Sequence, residues 1–221
     1  MNTPLPLMEI FNRLLDRFGP LHWWPAETPF EVCVGAILTQ NTAWTNVEKA
    51  VCALKQAGIM TPAALRECTP VQLAQLIRPA GFFNVKSLRL KDFTAWLFLR
   101  HHGCLERMFA GAWPTLRSEL LQVCGIGPET ADSILLYAGS KPTFVVDAYT
   151  RRLFYRLGLL PESTGYDATR DFFMARLPAD VQFFNEYHAL IVEQCKRFCR
   201  KKPLCSGCPL QERCLFGNPP T

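Results

Sequence analysis

Apolar residues recur along this chain in steps of three and four, with little strict alternation. Met8, Phe11, Leu14, Leu15 and Phe18 follow such steps and predict an amphipathic first helix. In TPFEVCVGAILTQ, Thr28 stands as the cap, Pro29 as the first helical residue and Glu31 as the partner of a capping box. Thr61-Pro62 and Thr69-Pro70 repeat that start. NVKSLRLKDFTAWLFLRHH reads as one long helix and Arg117 to Val123 as another. PETADSILLYA, AYTRRLFYRLGLL, DATRDFFMARL and VQFFNEYHALIVEQCKRF complete the set, while PTFVV is β-prone but too short to carry a sheet. The pattern predicts an all-α protein of about ten to twelve short helices.

With 49% hydrophobic and 19% charged residues in 221, the composition is that of a globular protein with a sizeable core. No apolar run approaches the ~20 residues a membrane-spanning helix needs. The start, MNTPLPLMEIFNRLLDRFGP, lacks a basic segment followed by an apolar block, so the expectation is a cytoplasmic protein with no membrane partner. The net charge of +5 is compatible with a polyanionic partner. It is concentrated near one end, where Lys196, Arg197, Arg200, Lys201, Lys202 and Arg213 face a single acid, Glu212. The closing FGNPPT reads as a loose tail.

The ten cysteines are unevenly spread. Cys33, Cys52, Cys68, Cys104 and Cys124 lie scattered among apolar residues, as small buried thiols do. The others crowd between Cys195 and Cys214. Cys199, Cys205, Cys208 and Cys214 are spaced C-x5-C-x2-C-x5-C, so four thiolates could wrap one compact centre. Soft sulfur ligands select zinc or an iron–sulfur cluster. Only the middle pair is the CxxC unit that structural zinc sites use twice, which favours iron–sulfur. Cys195 is a spare thiol that could serve in place of Cys199.

Gly125-Ile126-Gly127 between two short helices is the pattern of a helix-hairpin-helix element, whose free N–H groups suit a phosphate; a plain helical corner would use the same glycines. Two acids follow. Glu129 lies in the first turn after the hairpin, and Asp147 precedes AYTRRL, where it is a natural N-cap as well as a candidate catalyst. Trp23, Trp24 and Trp44 offer flat surfaces for a base or, equally, core packing. His188 and the His101-His102 pair read as structural or surface residues.

LLQVCGIGPETADSILLYA, then FVVDAYTRRL and the four-cysteine loop, resemble the endonuclease III branch of the helix-hairpin-helix DNA glycosylases; GAILTQNTAWTNVEKA and GFFNVKSLRL resemble its upstream segments. The resemblance implies a two-lobed, monomeric base excision repair enzyme acting on double-stranded DNA that contains a damaged base. It implies a central bundle at about residues 20–136, with the hairpin near 114–138. Residues 1–19 and 137–221 would form a second lobe with a [4Fe-4S] loop at 199–214. Endonuclease III itself has one more residue between its first two cysteines. Gly125, Gly127 and Thr130 would hold the DNA backbone, with Arg200, Lys201 and Lys202 near phosphates and Gln40 and Phe82 entering the duplex. Lyase members carry a nucleophilic lysine where this chain has Glu129, and their catalytic aspartate lies eighteen residues further on, at Asp147. Without that amine, base removal without strand cleavage is expected, with Asp147 stabilising the sugar cation and orienting water. The Trp23-Trp24-Pro25 run, with Trp44 after LTQNT, is similar to the endonuclease III-like 3-methyladenine DNA glycosylases, where aromatics sandwich the flipped purine. Glycosylases for deaminated, oxidised or mismatched bases, a lyase using an amine such as Lys86 or Lys141, and a non-catalytic DNA-binding module are the alternatives.

Overall fold

A computed structural model of the protein describes residues 6–21 and 23–217. Its contacts divide the chain into two units, Met1–Pro25 with Pro142–Thr221, and Ala26–Lys141. Among the described residues there is no β-strand; Phe144 to Val146 are extended and buried but pair with no ladder.

Helix α1 (Leu7–Phe18) opens the first unit. Its buried seam is Leu7, Ile10 and Leu14; of the expected stripe, Leu14 is buried and Phe11 packs on Phe183 and Tyr187, while Met8 is 40% exposed. The long helix that α1 lies against selects that seam, with the Tyr187 hydroxyl donating to Leu7 O at 2.7 Å.

The second unit holds α2 (Pro29–Leu38), α3 (Trp44–Gln56), α4 (Pro62–Glu67), α5 (Pro70–Leu76), α6 (Phe83–His101), α7 (Leu105–Ala110), α8 (Trp113–Leu120) and α9 (Pro128–Ser133). Helix α2 is its centre, buried from Phe30 to Leu38. Thr28 caps it as expected, but Glu31 completes only half of the capping box: its carboxylate accepts from Glu27 N and pairs with Lys55 at 2.8 Å. The full box forms at α5, where Thr69 and Gln72 exchange both bonds. Helix α8 begins at Trp113, earlier than the expected Arg117, because Pro114 pre-sets its first turn and Leu116 and Leu120 reach the core. Helix α9 runs straight into a wider π turn, Ile134–Ala138.

The chain then returns to the first unit with α10 (Ala148–Arg156), α11 (Tyr166–Met174) and α12 (Val181–Arg197). Its core is aromatic. Phe144 stacks on Phe173 at 4.1 Å between ring centres and meets Phe184 and Tyr187 edge-on. This cluster clamps the segment that leads into Asp147. Of the expected tail, Phe216 belongs to the fold: its amide donates to Arg156 O at 3.1 Å and its ring lies under the Arg156 guanidinium. Residues 218–221 lie outside the described residues.

Candidate active site

Three buried residues, Phe144, Val145 and Val146, deliver Asp147 to the start of α10. The Asp147 backbone is extended, and its Oδ1 accepts from the Thr150 amide at 2.7 Å and the Thr150 hydroxyl at 2.9 Å. Capping therefore uses one oxygen. The other, Oδ2, lies 3.6 Å from His188 Nε2, and the two side chains are 14% and 7% exposed. Burial works to raise the Asp147 carboxyl, but the His188 imidazole and both Thr150 donors outweigh it and hold the group below the usual carboxylate value. The site thus presents a desolvated, ionised carboxylate with one oxygen fixed. His188, read from sequence as structural, is the neighbour that sequence reasoning missed. It comes from mid-α12, forty-one positions away, and no local signal links the two.

The far end of α10 holds the cysteine loop. Arg152 Nε donates to Cys199 O at 2.8 Å, and Arg156 donates to Arg200 O at 2.6 Å and Lys201 O at 3.0 Å. The carbonyls of the basic run are thereby tied inward, while the Arg200, Lys201 and Lys202 side chains are exposed. Cys199, Cys205, Cys208 and Cys214 line one small cavity of about 20 Å³ with Leu153 and Phe198. Among the described residues no group of three His, Cys, Asp or Glu converges on a single metal ion. Cys195 is not in this lining and donates to Tyr149 O at 3.6 Å.

In the second unit, Gly125 has φ +80°, and a Cβ there would strike the Arg89 side chain at 2.3 Å. Gly127 has an ordinary φ of −90°, and a Cβ on it would meet nothing within 4 Å. The first glycine serves the turn; the second keeps a surface open. Gln40 lies under the hairpin, its amide donating to Gly125 O and Thr130 Oγ1, each at 2.9 Å, and its carbonyl accepting from Arg89. Thr130 is buried, so its hydroxyl faces the protein. The bidentate Arg117–Asp132 pair, at 2.9 and 3.0 Å, fastens α8 to α9. Phe82 is 69% exposed at φ +46°, a large apolar side chain on a strained residue at the start of α6. Lys86 is 1% exposed and donates to Leu38 O at 2.8 Å and Ala80 O at 2.7 Å. Burial first, and then the Arg89 charge, push its amine down to about 8. It is an internal cap for two segment ends and is not offered to a substrate.

Trp23 and Trp24 meet edge-on at 6.1 Å, both half-buried, and Lys196 Nζ lies 5.6 Å from the Trp23 ring centre. Trp44 packs on the core of the second unit and donates Nε1 to Glu48 at 2.8 Å. Glu129 is exposed in the first turn of α9.

Residues 34–179 match the family described as HhH-GPD superfamily base excision DNA repair protein. A Methanocaldococcus jannaschii protein, provisionally assigned as a DNA repair glycosylase, is 50% identical over 95% of this chain and 96% of its own length. Endonuclease III of Thermotoga maritima is 30% identical over 94% of this chain and 92% of its own. Among solved structures, H. pylori 3-methyladenine DNA glycosylase bound to 1,N6-ethenoadenine superposes with a TM-score of 0.75 and 31% identity, covering 86% of this chain and 96% of that one.

Proposed function

The chain belongs to the HhH-GPD superfamily and is a DNA glycosylase of base excision repair, and we propose that it is monofunctional and hydrolyses the N-glycosidic bond of alkylated purines such as 3-methyladenine. The observation that carries the reading is Asp147, a buried carboxylate kept ionised, with Oδ1 fixed by Thr150 and Oδ2 left for chemistry. As the base departs, that charge would stabilise the cationic sugar and align the attacking water. Glu129 occupies the position that lyase members give to lysine, and Lys86 is locked inside the second unit, which leaves Lys141 as the amine a lyase would have to use. Trp23, Trp24 and Trp44 supply faces for an electron-poor base, and the likeness to the H. pylori enzyme supports the purine assignment.

Gly125 and Gly127 would place the hairpin on the DNA backbone, with Gln40 and Thr130 bracing it from beneath, Phe82 at the flipped site and Arg200, Lys201 and Lys202 near phosphates. Cys199, Cys205, Cys208 and Cys214 would hold a [4Fe-4S] cluster that supplies a structural tie to their loop.

One observation favours a second reading. Lys196 over Trp23 places a positive charge where a cationic base would stack, which suits a neutral deaminated or oxidised lesion better. Base release from duplexes carrying alkylated, deaminated or oxidised bases separates the two. Release of 3-methyladenine by wild type, its loss in Asp147→Asn and no borohydride-trapped adduct are expected. Release by Asp147→Asn at the wild-type rate would remove the central claim, and a trapped adduct would restore the lyase.

A further inference from the structure

We propose that His188 is a positioning residue for base release, its Nε2 holding the Asp147 oxygen that Thr150 leaves unbonded both aimed and ionised. The inference rests on the glycosylase reading of Asp147. Oδ1 is fixed by two donors, so rotation of the carboxylate is already restricted, and Oδ2 has one direction to face. His188 Nε2 stands in that direction at 3.6 Å, an ion-pair distance longer than a hydrogen bond. The imidazole is carried by a seventeen-residue helix whose neighbouring Tyr187, Ala189 and Leu190 are at most 1% exposed, so it cannot swing aside cheaply. Both groups are shielded from water, which strengthens the attraction between them.

Other charged groups of the packed helices have partners elsewhere. On α10, Arg152 and Arg156 donate to the cysteine loop, and Arg151 donates to Glu162 O. On α12, Glu186 accepts from Leu21 N, Glu193 pairs with Arg197, and Lys196 lies over Trp23. On α1, Glu9 pairs with Arg13, and Arg17 lies over Phe198. Cys195 donates its thiol to Tyr149 O at 3.6 Å. His188 is the ionisable side chain that faces Oδ2, beside the Thr150 donors on Oδ1.

Two readouts test this. In single-turnover base release, His188→Ala moves the acid limb of the pH profile up by about one unit or more. At a pH below the shifted limb the rate falls about tenfold per unit, with duplex affinity unchanged. His188→Gln, which keeps an N–H donor without a positive charge, recovers part of the rate and not the limb. An acid limb that stays at the wild-type position in His188→Ala overturns the proposal, whatever the rate. Independently of activity, the Asp147 carboxyl titration is followed by NMR in wild type and His188→Ala. The midpoint rises when the imidazole is removed; an unmoved midpoint overturns the pairing. If the midpoint moves but wild type releases no base, the glycosylase reading fails and the positioning role with it, leaving only an electrostatic contact.

Discussion

Thr150 donates twice to one oxygen of Asp147, through its amide at 2.7 Å and its hydroxyl at 2.9 Å. The amide bond caps α10, whereas the hydroxyl bond serves chiefly to fix the carboxylate. Thr150→Val keeps the first and removes the second at nearly constant shape. Urea unfolding should show a loss of about 1 kcal/mol, while single-turnover base release falls and duplex affinity holds. A rate equal to wild type would mean the hydroxyl contributes to the cap alone.

Lys86→Met leaves the carbonyls of Leu38 and Ala80 without their donor. Two charge-assisted bonds are lost against a partial gain from burying an uncharged chain, so a net loss of about 2 kcal/mol is expected in denaturant unfolding. Base release by the folded fraction stays at the wild-type rate, since the amine performs no chemistry.

The same lysine gives a pH signature. Unfolded, its amine keeps a proton up to its ordinary value of 10.5; folded, only to about 8. Between those values the unfolded chain binds more protons, so raising the pH favours the folded state. Stability should climb from about pH 8 toward 10 relative to Lys86→Met, and unfolding midpoints of the two proteins at each pH give the difference.

The two hairpin glycines should respond in opposite ways. Gly125→Ala forces a Cβ into Arg89 at a positive φ, and a stability loss of about 1–3 kcal/mol follows. Gly127→Ala adds a methyl in open space and leaves the unfolding midpoint in place, while duplex binding, measured by fluorescence anisotropy, weakens. Equal stability losses would show that Gly127 also serves the turn.

For the cysteine loop, serine substitution at Cys199, Cys205, Cys208 or Cys214 should lower iron and sulfide content, whereas Cys195→Ser should not, because Cys195 lies outside the pocket lining. Metal analysis of the purified variants decides it. Iron retained in Cys199→Ser and lost in Cys195→Ser would exchange their roles.

Most of the helices were legible because their signals are local. Thr61 and Thr69 each cap the helix that begins at the following proline, and α6 spans the single long helix expected. Asp147 as an N-cap was equally visible. What escaped depends on partners distant in sequence. Leu7 and Ile10 join Leu14 in the α1 seam because α12 selects the face, and Glu31 turned to Lys55 on another helix. The amide of Gln40 is claimed by Gly125 and Thr130, eighty-five and ninety positions away. His188 has no signature at all, since an imidazole amid apolar residues looks the same whether or not a carboxylate waits across the helix interface.

Helix α10 begins at the carboxylate and ends in two guanidinium clamps on the cysteine loop. Nine residues make a stiff arm about 14 Å long, with no glycine or proline to act as a joint. Disturbance of the loop would then reach Asp147 as a tilt of that arm. A repair enzyme so built can lose its aim while every residue of its reaction site remains chemically intact.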